Sequence, residues 1–148
     1  MTKEAQIKSV ALFYYFALLD DSLARYASEI TLRKCKKQIE KSNVKRQNIP
    51  ALIVEATNKN WEKFLNSKFR SHPGTATEDI SWRVSDKIDL GLWKEYVKKA
   101  DSTEMLALVW SKVLGFDDEQ IAEGLGVTEG TVRHRVGRAL RDLGQLRK

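Results

Sequence analysis

The chain has 148 residues, 42% hydrophobic and 31% charged, and its 26 Lys and Arg outnumber its 20 Asp and Glu for a formal charge of +6. That length holds one ordinary domain or two small helical ones with modest cores, and the positive balance suits nucleic acid or an anionic membrane surface. A single cysteine, Cys35, and two histidines far apart, His72 and His134, exclude a disulfide framework, zinc-ligand spacing and a Cys/His nucleophile pair. Nothing in the residues points to an enzyme, a metal or a cofactor.

With eight Gly, two Pro and no hairpin signals, the expected class is all-α. A first helix is predicted over residues 3–19. Its run VALFYYFALL is far short of the ~20 residues that span a bilayer and lacks a signal-peptide cleavage site, so it reads as a core helix and not a membrane element. Asp20 and Asp21 act as caps ahead of a second helix over residues 21–40, and Pro50 is a first-turn proline ahead of a third over residues 51–69. Residues 33–46 carry seven Lys or Arg against one Glu, a run that either tracks phosphates or is a solvated helix face. Trp61, Phe64 and Phe69 recur at helical spacing and suit core packing better than stacking on bases. The stretch SHPGTATEDISWRVS, residues 71–85, interrupts the helical periodicity and reads as a linker. Two small helical domains follow, residues 1–70 and residues 86–148.

In the second domain Leu90, Leu92, Trp93, Tyr96 and Val97 mark one helix. Met105, Leu106, Val109 and Val113 mark the apolar arc of the next, over residues 102–114. The segment FDDEQIAEGLGVTEGTVRHRVGRALRDL, residues 116–143, then reads as two helices joined by a tight turn. Asp117, Asp118 and Glu119 favour a helix start by accepting from unpaired amides at the positive end of the helix dipole. Ile121, Ala122 and Leu125 give the first stripe, and Ala122 is small because the helices cross there. GLG at residues 124–126 is a turn and not a phosphate loop, with Gly126 free to take positive φ. Thr128 is the expected N-cap of the second helix. That is a helix-turn-helix.

At about 100° per residue, Val132, Val136, Ala139, Leu140 and Leu143 form the buried arc of the second helix. The opposite arc holds Gly130, His134, Gly137, Arg138 and Arg141, with Thr131 at its edge and Arg133 and Arg135 on the flanks. A recognition helix enters the major groove N-terminal end first, which makes Thr128, Thr131, Arg133, His134, Arg135, Arg138 and Arg141 the candidate DNA-binding residues. Thr131, Arg133, His134 and Arg138 are placed to meet bases, Arg135 and Arg141 phosphates. Gly130 and Gly137 cost helix propensity, which suggests close approach of a partner's backbone. Charge reverses at the turn: residues 101–126 hold one Lys and six acids, residues 127–148 five Arg, one Lys and two acids. The field therefore concentrates where phosphates would lie.

The run TEMLALVWSKVLGFDDEQIAEGLGVTEGTVRHRVGRALRDL resembles region 4 of bacterial sigma factors, particularly the extracytoplasmic-function group. Response-regulator output domains share the IAEGLGVTEGTV rhythm but continue differently from the basic pattern Arg133, Arg135, Arg138. The resemblance implies a cytoplasmic transcription initiation protein that reads the minus 35 promoter element in double-stranded DNA. It also implies binding to the RNA polymerase core through the β flap, and an anti-sigma factor as a further partner. The positions that such domains use for DNA fall on Arg133, His134, Gly137 and Arg138, of which Gly137 has no side chain to offer. ALLDDSLARYASEITLRKCKKQ and WEKFLNSKFR resemble region 2, which binds the β′ clamp helices and opens the minus 10 element, at only a few positions. The acidic cluster usual there is replaced by Leu23, Ala24, Arg25 and Tyr26. Two alternatives stay open: a free-standing regulator whose N-terminal half dimerises or senses a ligand, and a polymerase or anti-sigma interaction module with a vestigial DNA face.

Overall fold

A computed structural model of the chain describes residues 1–42, 48–65 and 90–146, and within them the protein is all-α. The linker of residues 71–85, Phe69, and the end of the basic run lie outside the described residues. Helix α1 (Lys3–Leu18) is capped by the Thr2 hydroxyl, which accepts from the Ala5 amide at 3.1 Å, and stops where Leu19 turns left-handed at φ 55°. Asp20 then accepts from the Leu23 amide at 3.0 Å and opens α2 (Asp21–Ser42). Of the two predicted caps only Asp20 takes that role. Asp21 is the first residue of the helix itself, buried, with its carboxylate 3.5 Å from Arg25. Pro50 lies in the first turn of α3 (Ile49–Leu65), where its missing amide hydrogen costs nothing.

Because α1 is apolar nearly all round from Val10 onward, that half of it lies in the core. Val10, Phe13 and Tyr14 are wholly buried. The Tyr14 hydroxyl lies 2.7 Å from the Thr31 hydroxyl of α2 and donates to the Thr57 carbonyl of α3 at 2.9 Å, tying three helices with one buried group. Desolvation pushes that hydroxyl above its ordinary pKa. Trp61 and Phe64 are buried in this core, as their spacing implied.

The C-terminal helices share the same core. Phe13 stacks on Trp110 with ring centroids 4.8 Å apart, and the Trp93 indole donates to the Phe16 carbonyl at 2.8 Å from α4 (Leu90–Lys99). Asp101 caps α5 (Ser102–Leu108), accepting from the Thr103 and Glu104 amides at 2.9 and 3.2 Å. The helix predicted through residue 114 does not stay α-helical. Val109–Val113 winds as a π-helical turn, closed by the Leu114 amide on the Val109 carbonyl at 2.9 Å. The wider winding carries Val113 off the buried arc expected for it, to 37% exposure, while Met105, Leu106 and Val109 stay buried.

Candidate nucleic-acid interface

Helix α6 (Asp118–Leu125) begins with a reciprocal capping box: the Gln120 amide donates to Asp117 at 2.9 Å, and the Asp117 amide donates to the Gln120 side chain at 3.2 Å. It ends at Gly126, left-handed at φ 72°, a conformation that glycine takes without steric cost. Thr128 then caps α7 (Glu129–Gln145), accepting from the Thr131 amide at 3.1 Å, with the two hydroxyls 2.9 Å apart. Ile121 and Ala122 of α6 and Val132, Val136 and Ala139 of α7 are buried in one cluster, with α5 packed against α7 and α3 against α6.

Two sequence expectations need correction. Leu140, assigned to the buried arc, is 44% exposed. It stands about 80° from Val132 around the axis, beyond the edge that α5 and α6 cover. Gly124, read as part of a turn, lies inside α6, where a Cβ would stand 2.5 Å from the Val54 Cβ and 2.7 Å from the Ala51 carbonyl oxygen of α3. It is a point of close approach between α3 and the helix-turn-helix. No local sequence signal could have shown this, since the constraint comes from a helix some seventy residues earlier.

Of the candidate residues, Thr128, Arg133, His134, Arg138 and Arg141 are exposed, while Thr131 and Arg135 are half-buried. Thr131 is committed to the cap by its bonds to Thr128, and Arg135 leans toward the scaffold. Its charge, after the hydrogen bonds from the Thr103 hydroxyl and the Glu104 amide, helps hold the Asp101 carboxyl below its usual range. His134 and Arg141 point straight away from the core and make no ion pair among the described residues. The flanking arginines are held from two sides. Arg133 lies 3.6 Å from Asp118 of α6, and the Arg138 Nε donates to Glu104 of α5 at 3.0 Å. Sequence reasoning missed Glu104 and gave Asp118 only a helix-start role, because both acids sit on other helices. Gly137 has nothing within 4 Å of where a Cβ would stand, and Gly130 only the Thr128 hydroxyl at 3.8 Å, so both leave open surface above the helix.

Capped helix, left-handed glycine turn, second capped helix and exposed basic face together define a helix-turn-helix of the DNA-binding class. More particularly, residues 102–143 match the model of the family described as sigma-70, region 4, a DNA-binding domain of transcription initiation. That match runs from the start of α5 nearly to the end of α7 and covers well under half of the chain, so it identifies the C-terminal unit. No curated protein and no solved structure matches the chain. Among the described residues no three His, Cys, Asp or Glu side chains gather as a metal would require, and no helix is long and apolar enough to cross a membrane.

Proposed function

We propose that the protein is a sigma-factor-like transcription initiation protein of the cytoplasm, whose α7 reads a minus 35 promoter element while the chain is associated with RNA polymerase core. The observation that carries this is the region 4 match on a helix-turn-helix whose basic face is open. In this proposal Arg133, His134 and Arg138 meet base edges, Thr128, Thr131, Arg135 and Arg141 fix register on the backbone, and Gly130 and Gly137 let the duplex approach closely. Residues 1–70 form a region 2-like unit joined through residues 71–85 to the region 4 unit of residues 86–148, and docked on it where α3 meets Gly124. It is a binding protein and not an enzyme, and an anti-sigma factor is the expected regulator.

The test is capture of core polymerase by the full-length protein, followed by transcription from candidate promoters with the captured complex. Initiation that depends on both the protein and the minus 35 sequence supports the proposal. Binding of a two-fold symmetric operator by the isolated protein, with no polymerase capture, would replace it with a free-standing regulator.

A further inference from the structure

The acid on Arg138 is placed as a support and not as a chance surface partner. Glu104 sits in the first turn of α5, its amide hydrogen held by the Asp101 cap at 3.2 Å and its chain neighbours Met105 and Leu106 buried, so its backbone has little freedom. Its side chain is only 14% exposed and takes the Nε hydrogen of Arg138 at 3.0 Å. A guanidinium offers five N–H donors in a rigid plane. With Nε on the carboxylate, hydrogens on both terminal nitrogens remain for another acceptor, and Arg138 is itself still 51% exposed. A guanine edge, with two acceptors side by side in the major groove, is the acceptor pair such a fork fits.

We propose that Glu104 is a specificity-determining positioning residue: it fixes the Arg138 fork toward the major groove so that the arginine reads a base instead of sampling the nearest phosphates. This rests on the DNA-binding role proposed for α7. A free arginine must lose much rotamer freedom on binding, and a phosphate will take it in many geometries. Holding Nε removes most of those geometries before the duplex arrives and leaves the bidentate one. The same carboxylate repels phosphates, so it lowers affinity for every duplex while raising the contrast between right and wrong ones. Asp118 cannot serve Arg133 equally well, because that pair is longer at 3.6 Å and wetter, with the acid 34% exposed.

The experiment uses the full-length protein, a duplex selected by it from a randomised library, and a scrambled duplex. The ratio of the two affinities is measured across a salt series for wild type, Glu104→Ala, Glu104→Gln, Arg138→Ala and the double variant Glu104→Ala/Arg138→Ala. Glu104→Ala is expected to tighten binding to the scrambled duplex and to cut the ratio about tenfold, the low end for one bidentate base contact. The double variant should lose no more of the ratio than Arg138→Ala alone. Glu104→Gln, which keeps an acceptor oxygen without the charge and so folds with the least disturbance, should fall in between. A purely structural role would instead weaken binding to both duplexes together. A ratio unchanged in Glu104→Ala and Glu104→Gln overturns the positioning role and leaves the DNA reading intact. Equal or greater tightening on the selected duplex also overturns it, in favour of an acid that merely sequesters Arg138. Failure of the wild type to select any duplex overturns the DNA reading, and the positioning role with it.

Discussion

Glycines on one pair of neighbouring helices are under opposite constraints. Gly124 faces α3 so closely that a methyl group would meet Val54 and the Ala51 carbonyl inside 3 Å, whereas a methyl at Gly137 would meet nothing. Gly124→Ala should therefore destabilise the fold by about 1 to 3 kcal/mol through overpacking. Gly137→Ala should stabilise it by up to about 1 kcal/mol through helix propensity. Paired thermal melts check both, and a melting temperature unchanged in Gly124→Ala would mean that α3 and α6 do not meet as described. The arginines separate in the same residue-by-residue way. Arg133→Ala and Arg138→Ala are expected to weaken binding to a selected duplex by about 1 to 3 kcal/mol each if they address bases. Arg141→Ala, exposed and unsupported, should weaken binding to all duplexes and flatten the salt dependence by about one unit of slope.

Each helix of the helix-turn-helix is started by a side chain and not by propensity alone. Asp117 and Gln120 satisfy each other's amides at the head of α6, and the Thr128 hydroxyl satisfies the Thr131 amide at the head of α7. Replacing either cap by Ala should cost about 1 kcal/mol. Thr128→Ala should cost DNA affinity as well, because the N-terminal turn it holds is the one that enters the groove. Denaturant titration beside a binding isotherm distinguishes the two: Asp117→Ala is expected to lower stability with little change in affinity per folded molecule. The Thr128 cap was legible because it acts over three residues, as were the left-handed Gly126 and the acidic start of α6, though not the part that Gln120 plays in its capping box. The π-helical turn at Val109–Val113 was not, because no residue type within it marks the wider winding; Val109 and Trp110 there are buried, Trp110 stacked on Phe13 of α1.

At the scale of the whole molecule, one buried core runs from α1 through α5 to α7, and it holds groups that titrate only at high pH. Burial pushes the Cys35 thiol from 9.0 up to about 11. Burial, aided by the charges of Glu104, Asp142 and Asp101, pushes the Tyr96 hydroxyl from 10.0 up to about 12. In both cases the folded state holds its proton more tightly than the unfolded chain does. Their contribution is therefore fully present below pH 9 and is lost as pH rises from 9 toward 12. The melting temperature should fall across that window. Cys35→Ala should flatten the lower part of the fall and Tyr96→Phe the upper part, and a level profile in the wild type would show that neither group is protonated by the fold.

The sequence by itself determined the all-α class, the Thr128 cap, the acidic start of α6, the glycine turn and the identity of the basic helix, because each depends on residues within one or two helical turns of one another. It also marked Val132, Val136 and Ala139 as the buried side of α7, since helical periodicity is a local property. Only the tertiary structure decided what surrounds that helix. The exposure of Leu140 follows from where neighbouring helices stop covering the surface, that of Val113 from the π-helical turn, and the need for Gly124 from the approach of α3. The pairing of Arg138 with Glu104 and of Arg133 with Asp118 joins α7 to α5 and to α6 across 34 and 15 residues of chain. Such pairings are set by how helices cross, so a pattern read along one helix identifies its basic residues but not the acids that orient them.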